Sequence, residues 1–149
     1  MPSIDTVDRM VVRAPAETLF DTILDYPRMR EWFPPYRIDV VGGGPVQQGS
    51  RLEHELTTMG LKTTFTRTIR NVTRPRSIEE TYDEGMLLGE GRWEFDERGP
   101  DETEVSFFCK VRSNALATHV GLFLTGAKGH NRVYQEILGA LKKRVETAA

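Results

Sequence analysis

The longest helical pattern in the sequence is residues 115–145, ALATHVGLFLTGAKGHNRVYQEILGALKKRV. Its apolar side chains recur at intervals of three and four, which is typical of a helix with one buried stripe. The opposite side carries basic and polar residues that suit water. A helix of this length would be about 45 Å long, and we expect a sheet to cover its stripe. Gly126 and Gly129 leave open whether the helix is continuous at that point.

The composition is that of one domain spanning residues 1–149, long enough for a sizeable core. A net charge of -2 argues against a general nucleic-acid binder, which usually has a basic face. Cys109 is the only cysteine, so an intramolecular disulfide is excluded. The sequence has no apolar signal core and no run long enough to span a bilayer. We therefore expect a cytoplasmic protein without stable membrane insertion, and its oligomeric state stays open.

Read in order, the chain begins with a strand over residues 4–13, and Pro15 suits the start of a helix. The tripeptide DYP at 25–27 breaks this helix and begins a second short one. From Arg37 onward apolar and polar residues alternate, which predicts about six strands joined by short turns. Such strands form an antiparallel sheet. We expect an α+β fold: a curved antiparallel sheet of about seven strands around one long C-terminal helix, with two short helices after the first strand.

A strongly curved sheet leaves a space between itself and the helix. Alternation places Trp93 and Phe107 on the side of the sheet that faces the helix. Gly89 and Gly91 are expected on the same face, where they would deepen the space because they place no side chain there. The dipeptide at 84–85, Glu-Gly, suits a two-residue hairpin turn.

Several short motifs resemble one known superfamily. The stretch VRAPAETLF at 12–20 resembles the opening of START-like (Bet v 1-like, SRPBCC) proteins, and DYP followed by Trp32, GRWEF at 91–95 and TEV at 103–105 fit the same pattern. The chain is most similar to the bacterial polyketide cyclase/dehydrase and lipid-transport group, with some likeness to coenzyme Q-binding proteins. The resemblance implies the helix-grip fold and a hydrophobic cavity between the sheet and the C-terminal helix. One fold hosts many functions, so the resemblance names no ligand.

Arg67 and Glu80 form the sharpest polar pair. If the chain turns near residues 73–74, Arg67 lies opposite Glu80 and Phe65 opposite Tyr82, all on the inner face. The pair would then anchor a carboxylate, phenol or carbonyl inside an apolar cavity. The alternative is a structural ion pair near a strand end. Glu80 would act as an acid or base only if burial raised its pKa, and Arg67 acts in the opposite direction.

The histidines are the other candidates for proton transfer. His54 shares the face of Leu52 and Leu56, and His130 lies near Tyr134 on the helix. Either histidine would serve as a proton-transfer group or as a hydrogen-bond donor to a ligand. The alternative is a histidine bonded to its neighbours or half-exposed. No paired spacing with Cys109 supports a metal site, and no motif implies a cofactor.

The candidate site combines these polar residues with the aromatic residues expected to line or close the cavity. Plain core packing is the alternative for many of the aromatic residues. The full set of candidate ligand-binding residues is Trp32, Phe33, Tyr36, His54, Phe65, Arg67, Glu80, Tyr82, Trp93, Phe95, Phe107, Cys109, Phe123, His130 and Tyr134. Residues 42–44, three glycines, lack the lysine and hydroxyl of a phosphate loop and are expected to form a lid or a turn at the cavity mouth.

Three functions are compatible with this pattern. The first is binding or transport of a hydrophobic small molecule that is lipid-, quinone- or polyketide-like. The second is a polyketide cyclase or dehydratase that uses His54, Glu80 or Arg67 as catalytic groups. The third is a protein-interaction module whose cavity is filled by its own side chains. The first is favoured, because the sequence has no concentrated catalytic motif.

Overall fold

The computed structural model describes residues 3–58, 60–113 and 126–147, with side chains in these ranges except at 58, 113 and 126–131. These ranges contain a sheet, two α-helices and one 3₁₀ helix. The strands are β1 (Ser3–Val12), β2 (Tyr36–Val40), β3 (Arg51–Thr58), β4 (Leu61–Thr73), β5 (Ser77–Gly85), β6 (Leu87–Gly99) and β7 (Glu102–Ser113). The helices are α1 (Ala16–Leu24), the 3₁₀ helix (Tyr26–Glu31) and α2 (Gly126–Thr147).

All the strands form one antiparallel sheet in the order β1-β7-β6-β5-β4-β3-β2. The last strand therefore pairs with the first, as the predicted helix-grip fold requires. Helix α2 buries one stripe of side chains in the core, namely Tyr134, Ile137, Leu138, Leu141 and Val145. The α+β fold expected from the sequence, with a curved antiparallel sheet and short helices after the first strand, is confirmed.

The two short helices also follow the sequence pattern. Pro15 lies immediately before α1 in an extended conformation, one position earlier than expected. Its fixed φ suits this entry to the helix. The buried face of α1 contains Leu19, Phe20 and Ile23, and the 3₁₀ helix follows directly with a proline in its first turn. This pair of helices brings Tyr26 into the core beneath the sheet.

The C-terminal helix is continuous from Gly126 through Gly129. The predicted helical stretch at 115–125, which includes Phe123, lies outside the described residues. Within the described part of the chain, no helix is both long and apolar enough to cross a membrane.

Strand register is where the structure departs from the sequence prediction. Arg67 pairs with Tyr82, and Ile69 pairs with Glu80, so the predicted pairing of Arg67 with Glu80 is wrong. The main cause is a later turn than predicted, since Thr73 pairs with Ser77, and register shifts between Ile69 and Asn71 and between Thr66 and Arg67 change the pairing by one residue each. The predicted pairing of Phe65 with Tyr82 is wrong for the same reason. A bulge of this kind inserts an extra residue in one strand and displaces the pairing beyond it.

The glycines of the β5–β6 hairpin also behave differently from the prediction. Gly85 is not a turn residue: it pairs with Phe65 of β4, and a β-carbon there would lie 2.7 Å from the Phe65 Cα. Gly89 has a φ of +145°, and its β-carbon would meet the Lys110 backbone oxygen at 2.1 Å, so it serves close packing against β7. Gly91 does face inward, toward Phe107 and Glu80.

Candidate ligand-binding site

The centre of the candidate site is an ion pair on the inner face of β4 and β5. Arg67 Nη1 donates to Glu80 Oε1 at 2.5 Å, and the two side chains are 2% and 0% exposed. Side chains alternate between the two faces of each strand, and both residues lie at positions that face inward, as the sequence predicts. A charge pair so fully removed from water persists only when further polar groups satisfy its remaining atoms.

Tyrosines and aromatic rings hold the guanidinium group of Arg67. Its Nη2 donates to the hydroxyl of Tyr36 at 2.8 Å and to that of Tyr134 at 3.0 Å. Its carbon lies 4.5 Å from the ring centre of Tyr82 and 5.2 Å from that of Phe65. A cation over an aromatic face is attracted to it, more so when water is excluded. The guanidinium is therefore held in one orientation by hydrogen bonds and rings together.

The second oxygen of Glu80 accepts a hydrogen bond from a residue far away in the sequence. The Tyr26 hydroxyl donates to Glu80 Oε2 at 2.8 Å. Burial raises the pKa of Glu80 above its usual value, while Arg67 and the hydrogen bond from Tyr26 act in the opposite direction. Each carboxylate oxygen thus accepts one hydrogen bond and keeps a second lone pair. The two donors stabilise the ionised form, which makes the carboxylate a weaker base.

The same desolvation acts on the other titratable groups of the cluster. Burial opposes the charge on Arg67, but Glu80 and the surrounding tyrosines outweigh it and the pKa of Arg67 is raised. Burial also raises the pKa values of the tyrosine hydroxyls, with Arg67 acting against it. The tyrosines therefore remain neutral hydrogen-bonding groups at neutral pH. The affected tyrosines are Tyr36, Tyr82 and Tyr134.

His54 lies beside this cluster and is 3% exposed. Its ring stacks on Phe65 at 4.8 Å and meets the edge of Tyr36 at 5.5 Å. Neither ring nitrogen has a hydrogen-bond partner among the described residues. Burial first, and the charge of Arg67 second, lower the pKa of His54 well below its usual value. His54 is therefore neutral at pH 7 and packs as an aromatic ring.

Between the sheet and α2, the described residues border only a small space. The described residues enclose a cavity of about 20 Å³. This volume is enough for about one water molecule. Polar groups of the cluster form part of its wall, and aliphatic side chains form the remainder. The lining residues are Tyr36, Leu56, Thr63, Phe65, Arg67, Tyr82, Leu87, Cys109, Val111, Val133 and Tyr134.

The other predicted site residues with described side chains lie in different parts of the core. Trp93 and Phe107 face α2 as predicted, with the Phe107 ring stacked on Tyr134 at 4.3 Å. Phe95 packs against Phe20 of α1 at 5.6 Å, in the part of the core below the first helix. Phe33 is buried, with its ring centre 6.4 Å from that of Tyr36, and Trp32 is partly buried against the core. The side chains of Phe123 and His130 lie outside those described.

Cys109 lies at the wall of the cavity, with Sγ 3.7 Å from the Tyr82 hydroxyl. Burial raises the pKa of the Cys109 thiol to about 12, so it stays protonated at neutral pH. Among the described side chains, no group of three histidine, cysteine, aspartate or glutamate residues is placed to hold a metal ion.

Sequence reasoning missed several residues of the site. Tyr26, the second donor to Glu80, lies in the helix break at 25–27, and no local signal in the sequence marks its contact with a residue 54 positions away. The aliphatic lining residues follow the same patterns as the aromatic ones. The strand residues lie at inward-facing positions of the alternation, and the helix residue lies beside the apolar stripe of α2; they are Leu56, Leu87, Val111 and Val133. They carry no polar group, so nothing in the sequence distinguishes them from ordinary core residues.

The sheet, the C-terminal helix and the polar cluster between them define a helix-grip protein of the START-like class. Solved structures of this class align over nearly the whole chain. A START superfamily protein from Mycobacterium smegmatis is 20% identical, with a TM-score of 0.77, over 97% of this chain and 99% of that one. The Zhui aromatase/cyclase from Streptomyces sp. R1128 is 17% identical, with a TM-score of 0.76, over 99% and 98% of the two chains.

A more distant relative with the same fold is norcoclaurine synthase from Thalictrum flavum, solved with dopamine and hydroxybenzaldehyde. It is 10% identical, with a TM-score of 0.71, over 99% of this chain and 88% of that one. A search of curated protein sequences finds no match. The profile of the polyketide cyclase / dehydrase and lipid transport family matches residues 3–146, and the chain belongs to this family.

Proposed function

We propose that the protein binds or transports a hydrophobic small molecule carrying a polar oxygen group, in the space between the sheet and α2. The observation that carries this proposal is the buried Arg67, held in one orientation inside a wall of aromatic and aliphatic side chains. Its Nε has no hydrogen-bond partner among the described residues. Ligand sites are typically apolar with a few fixed polar groups that orient the ligand. The family, which includes cyclases and lipid carriers by its description, is consistent with such a site.

We expect the part of the cavity that the described residues border to enlarge when a ligand binds. Ligand pockets commonly measure about 300–1,000 Å³, against about 20 Å³ here. The polar side of the cavity is fixed by the ion pair, whereas Leu56, Leu87 and Val133 border it with side chains that have no hydrogen bonds to lose. We expect these three side chains to move apart when a ligand enters.

Tryptophan emission gives a direct binding assay. The chain has two tryptophans, and the variant Trp32→Phe leaves Trp93, which packs on Phe107 and Tyr134. Titration with anthraquinone, a naphthoquinone and linear polyketide mimics should produce a saturable change in Trp93 emission. Native mass spectrometry should show the same ligand at one copy per chain.

A pair of helix variants separates the cavity from the surface. Val133→Phe places a ring in the cavity wall and should weaken binding by about tenfold or more, a change of about 1.4 kcal/mol. Glu136→Phe adds the same ring on the exposed side of α2 and should leave binding unchanged. Equal effects of the two substitutions would refute the site. Absence of binding by every probe would favour an interaction module filled by its own side chains.

Cyclisation or dehydration of a polyketide-like substrate is the second candidate. It is favoured by the raised pKa of Glu80 and by the aromatase/cyclase among the proteins of this fold. Because Arg67 and the hydrogen bond from Tyr26 both stabilise the ionised form of Glu80, they oppose its action as a base. If Glu80 acts as a base, Glu80→Gln should lower turnover by a factor of about 100 or more while binding survives. Binding without conversion in the wild type would favour the carrier. The cytoplasmic location and the absence of a nucleic-acid partner remain predictions.

A further inference from the structure

We infer that the molecule bound in this cavity is electrically neutral, a ketone, quinone or un-ionised phenol, and that Glu80 is the residue that excludes anions. This inference rests on the proposed function and narrows its ligand class. Arg67 alone would suggest an acidic ligand, because a guanidinium group pairs readily with carboxylates and phosphates. Its surroundings favour the opposite conclusion.

The charge of Arg67 is already cancelled inside the protein. Glu80 contacts it at 2.5 Å, and both side chains are almost completely removed from water. Among the described side chains, the other buried acidic one on the inner face of the sheet is Asp8 of β1, which is 3% exposed. Gln135 of α2 donates to Asp8 Oδ1 at 3.3 Å, and Oδ2 has no partner among the described residues.

The described interior therefore has no excess positive charge. It is neutral when Asp8 is protonated and negative when Asp8 is ionised. An anionic ligand would add a second negative charge beside Glu80 and would compete with it for the same guanidinium group. Removing a partner from a buried ion pair leaves an uncompensated charge, which is strongly unfavourable.

A neutral oxygen avoids this conflict. It can accept a hydrogen bond from Arg67 Nε, which is buried and has no partner among the described residues, while Nη1 and Nη2 keep their present acceptors. The neutral tyrosines and the aromatic rings around the guanidinium suit the apolar body of such a ligand. A carbonyl bound in this way adds no charge beside Glu80, whereas a carboxylate at the same position adds a negative charge that no further positive charge of the described interior offsets.

Two probes of matched size test the inference. 2-Acetylnaphthalene and 2-naphthoate differ mainly in a methyl group against a charged oxygen, and their binding can be measured by calorimetry at pH 7. We expect the ketone to bind wild-type protein at least about tenfold more tightly, since a carboxylate would be placed beside the like charge of Glu80. Tighter binding of the carboxylate would overturn the inference and leave the proposed function standing. Absence of binding by either probe would overturn both.

A charge substitution identifies the responsible residue. Glu80→Gln leaves Arg67 unneutralised and should shift the preference toward 2-naphthoate by about tenfold or more. Glu79→Gln makes the same chemical change on the outer face of β5, where the side chain accepts from Asn71 at 3.1 Å, and should leave the preference unchanged. Equal shifts in the two variants, or none in Glu80→Gln, would show that Glu80 does not select the ligand charge.

A wild-type measurement covers the case in which Glu80→Gln fails to fold. A naphthol derivative whose hydroxyl titrates near neutral pH should bind only in its neutral form, so its affinity should fall about tenfold per pH unit above the ligand's own pKa. The affinity of 2-acetylnaphthalene, measured at the same pH values, corrects for titration of the protein. A naphthol affinity that stays level or rises as the ligand ionises would overturn the inference.

Discussion

Breaking the Arg67–Glu80 pair from one side should be far more damaging than removing both charges. The variant Arg67→Met leaves Glu80 with Tyr26 as its donor, and Glu80→Gln leaves a buried guanidinium without its counter-charge. A buried charge without its partner costs about 3–5 kcal/mol of unfolding free energy. For a chain of this size each single variant should lower the melting temperature by about 6–20 °C.

The double variant Arg67→Met/Glu80→Gln should recover most of that loss. The glutamine can still accept from Tyr26, while Tyr36 and Tyr134 each lose the hydrogen bond from Arg67. The remaining loss is then one or two hydrogen bonds, about 1–3 kcal/mol. The coupling free energy of the double-mutant cycle should be at least about 3 kcal/mol.

Urea unfolding followed by far-ultraviolet circular dichroism measures all four proteins of the cycle. A matched control is the exposed pair of Arg74 and Asp21, which has two hydrogen bonds at 3.1 and 2.9 Å, with both side chains more than half exposed. Its cycle should show coupling within the error of the measurement, because water screens it. If the losses at Arg67 and Glu80 simply add, the two charges do not depend on one another and the reasoning about the cluster is wrong.

Three further substitutions test the packing of the core. The pKa of His54 in the folded state lies below the unfolded value of about 6.5, so below pH 6.5 the unfolded chain binds a proton that the folded chain does not. As the pH falls below about 6.5, the unfolding free energy of the wild type should decrease relative to that of His54→Leu by up to about 1.4 kcal/mol per pH unit, and above about pH 6.5 the difference should be constant. Urea unfolding at a series of pH values measures this difference. Gly91→Ala would place a β-carbon 3.1 Å from Phe107 Cζ and 3.2 Å from Glu80 Oε1. It should lower the unfolding free energy by about 1–3 kcal/mol, whereas Gly99→Ala, which meets no atom within 4 Å, serves as its control. Gly139→Ala also meets open space within α2 and should raise the melting temperature, through a gain of about 1 kcal/mol in helix propensity.

Alternation and helical periodicity were sufficient to predict the layers of the fold and the direction in which most side chains point. Trp93, Phe107, Arg67 and Glu80 all face inward because a strand that covers a helix must bury one of its two faces. The same reasoning holds for Tyr134, which lies on the apolar stripe of α2. These positions depend on local spacing alone, which a sequence contains in full.

Contacts that depend on bulges or on distant segments could not be predicted in this way. The β4–β5 hairpin closes with Thr73 opposite Ser77, and its register then shifts at Ile69/Asn71 and at Thr66/Arg67, where no glycine or proline marks the change. The hydrogen bond from Tyr26 to Glu80 depends on how the short helices dock under the sheet. The cavity volume depends on the packing of every side chain around it, and for this reason curvature and inward glycines suggested more space than the described residues enclose.

The register that the sequence failed to predict also explains how Arg67 is held. Since Arg67 pairs with Tyr82, Glu80 is its diagonal neighbour on the same face, at a separation that a long side chain can span. In crossing to Glu80 the guanidinium lies over the Tyr82 ring at 4.5 Å. Direct opposition would have let the two charges meet without covering that ring. In the diagonal arrangement the Tyr82 ring fixes the plane of the guanidinium group, and Glu80 fixes the position of Nη1. The direction of Nε is therefore set before a ligand binds, so less conformational entropy of the Arg67 side chain is lost on binding.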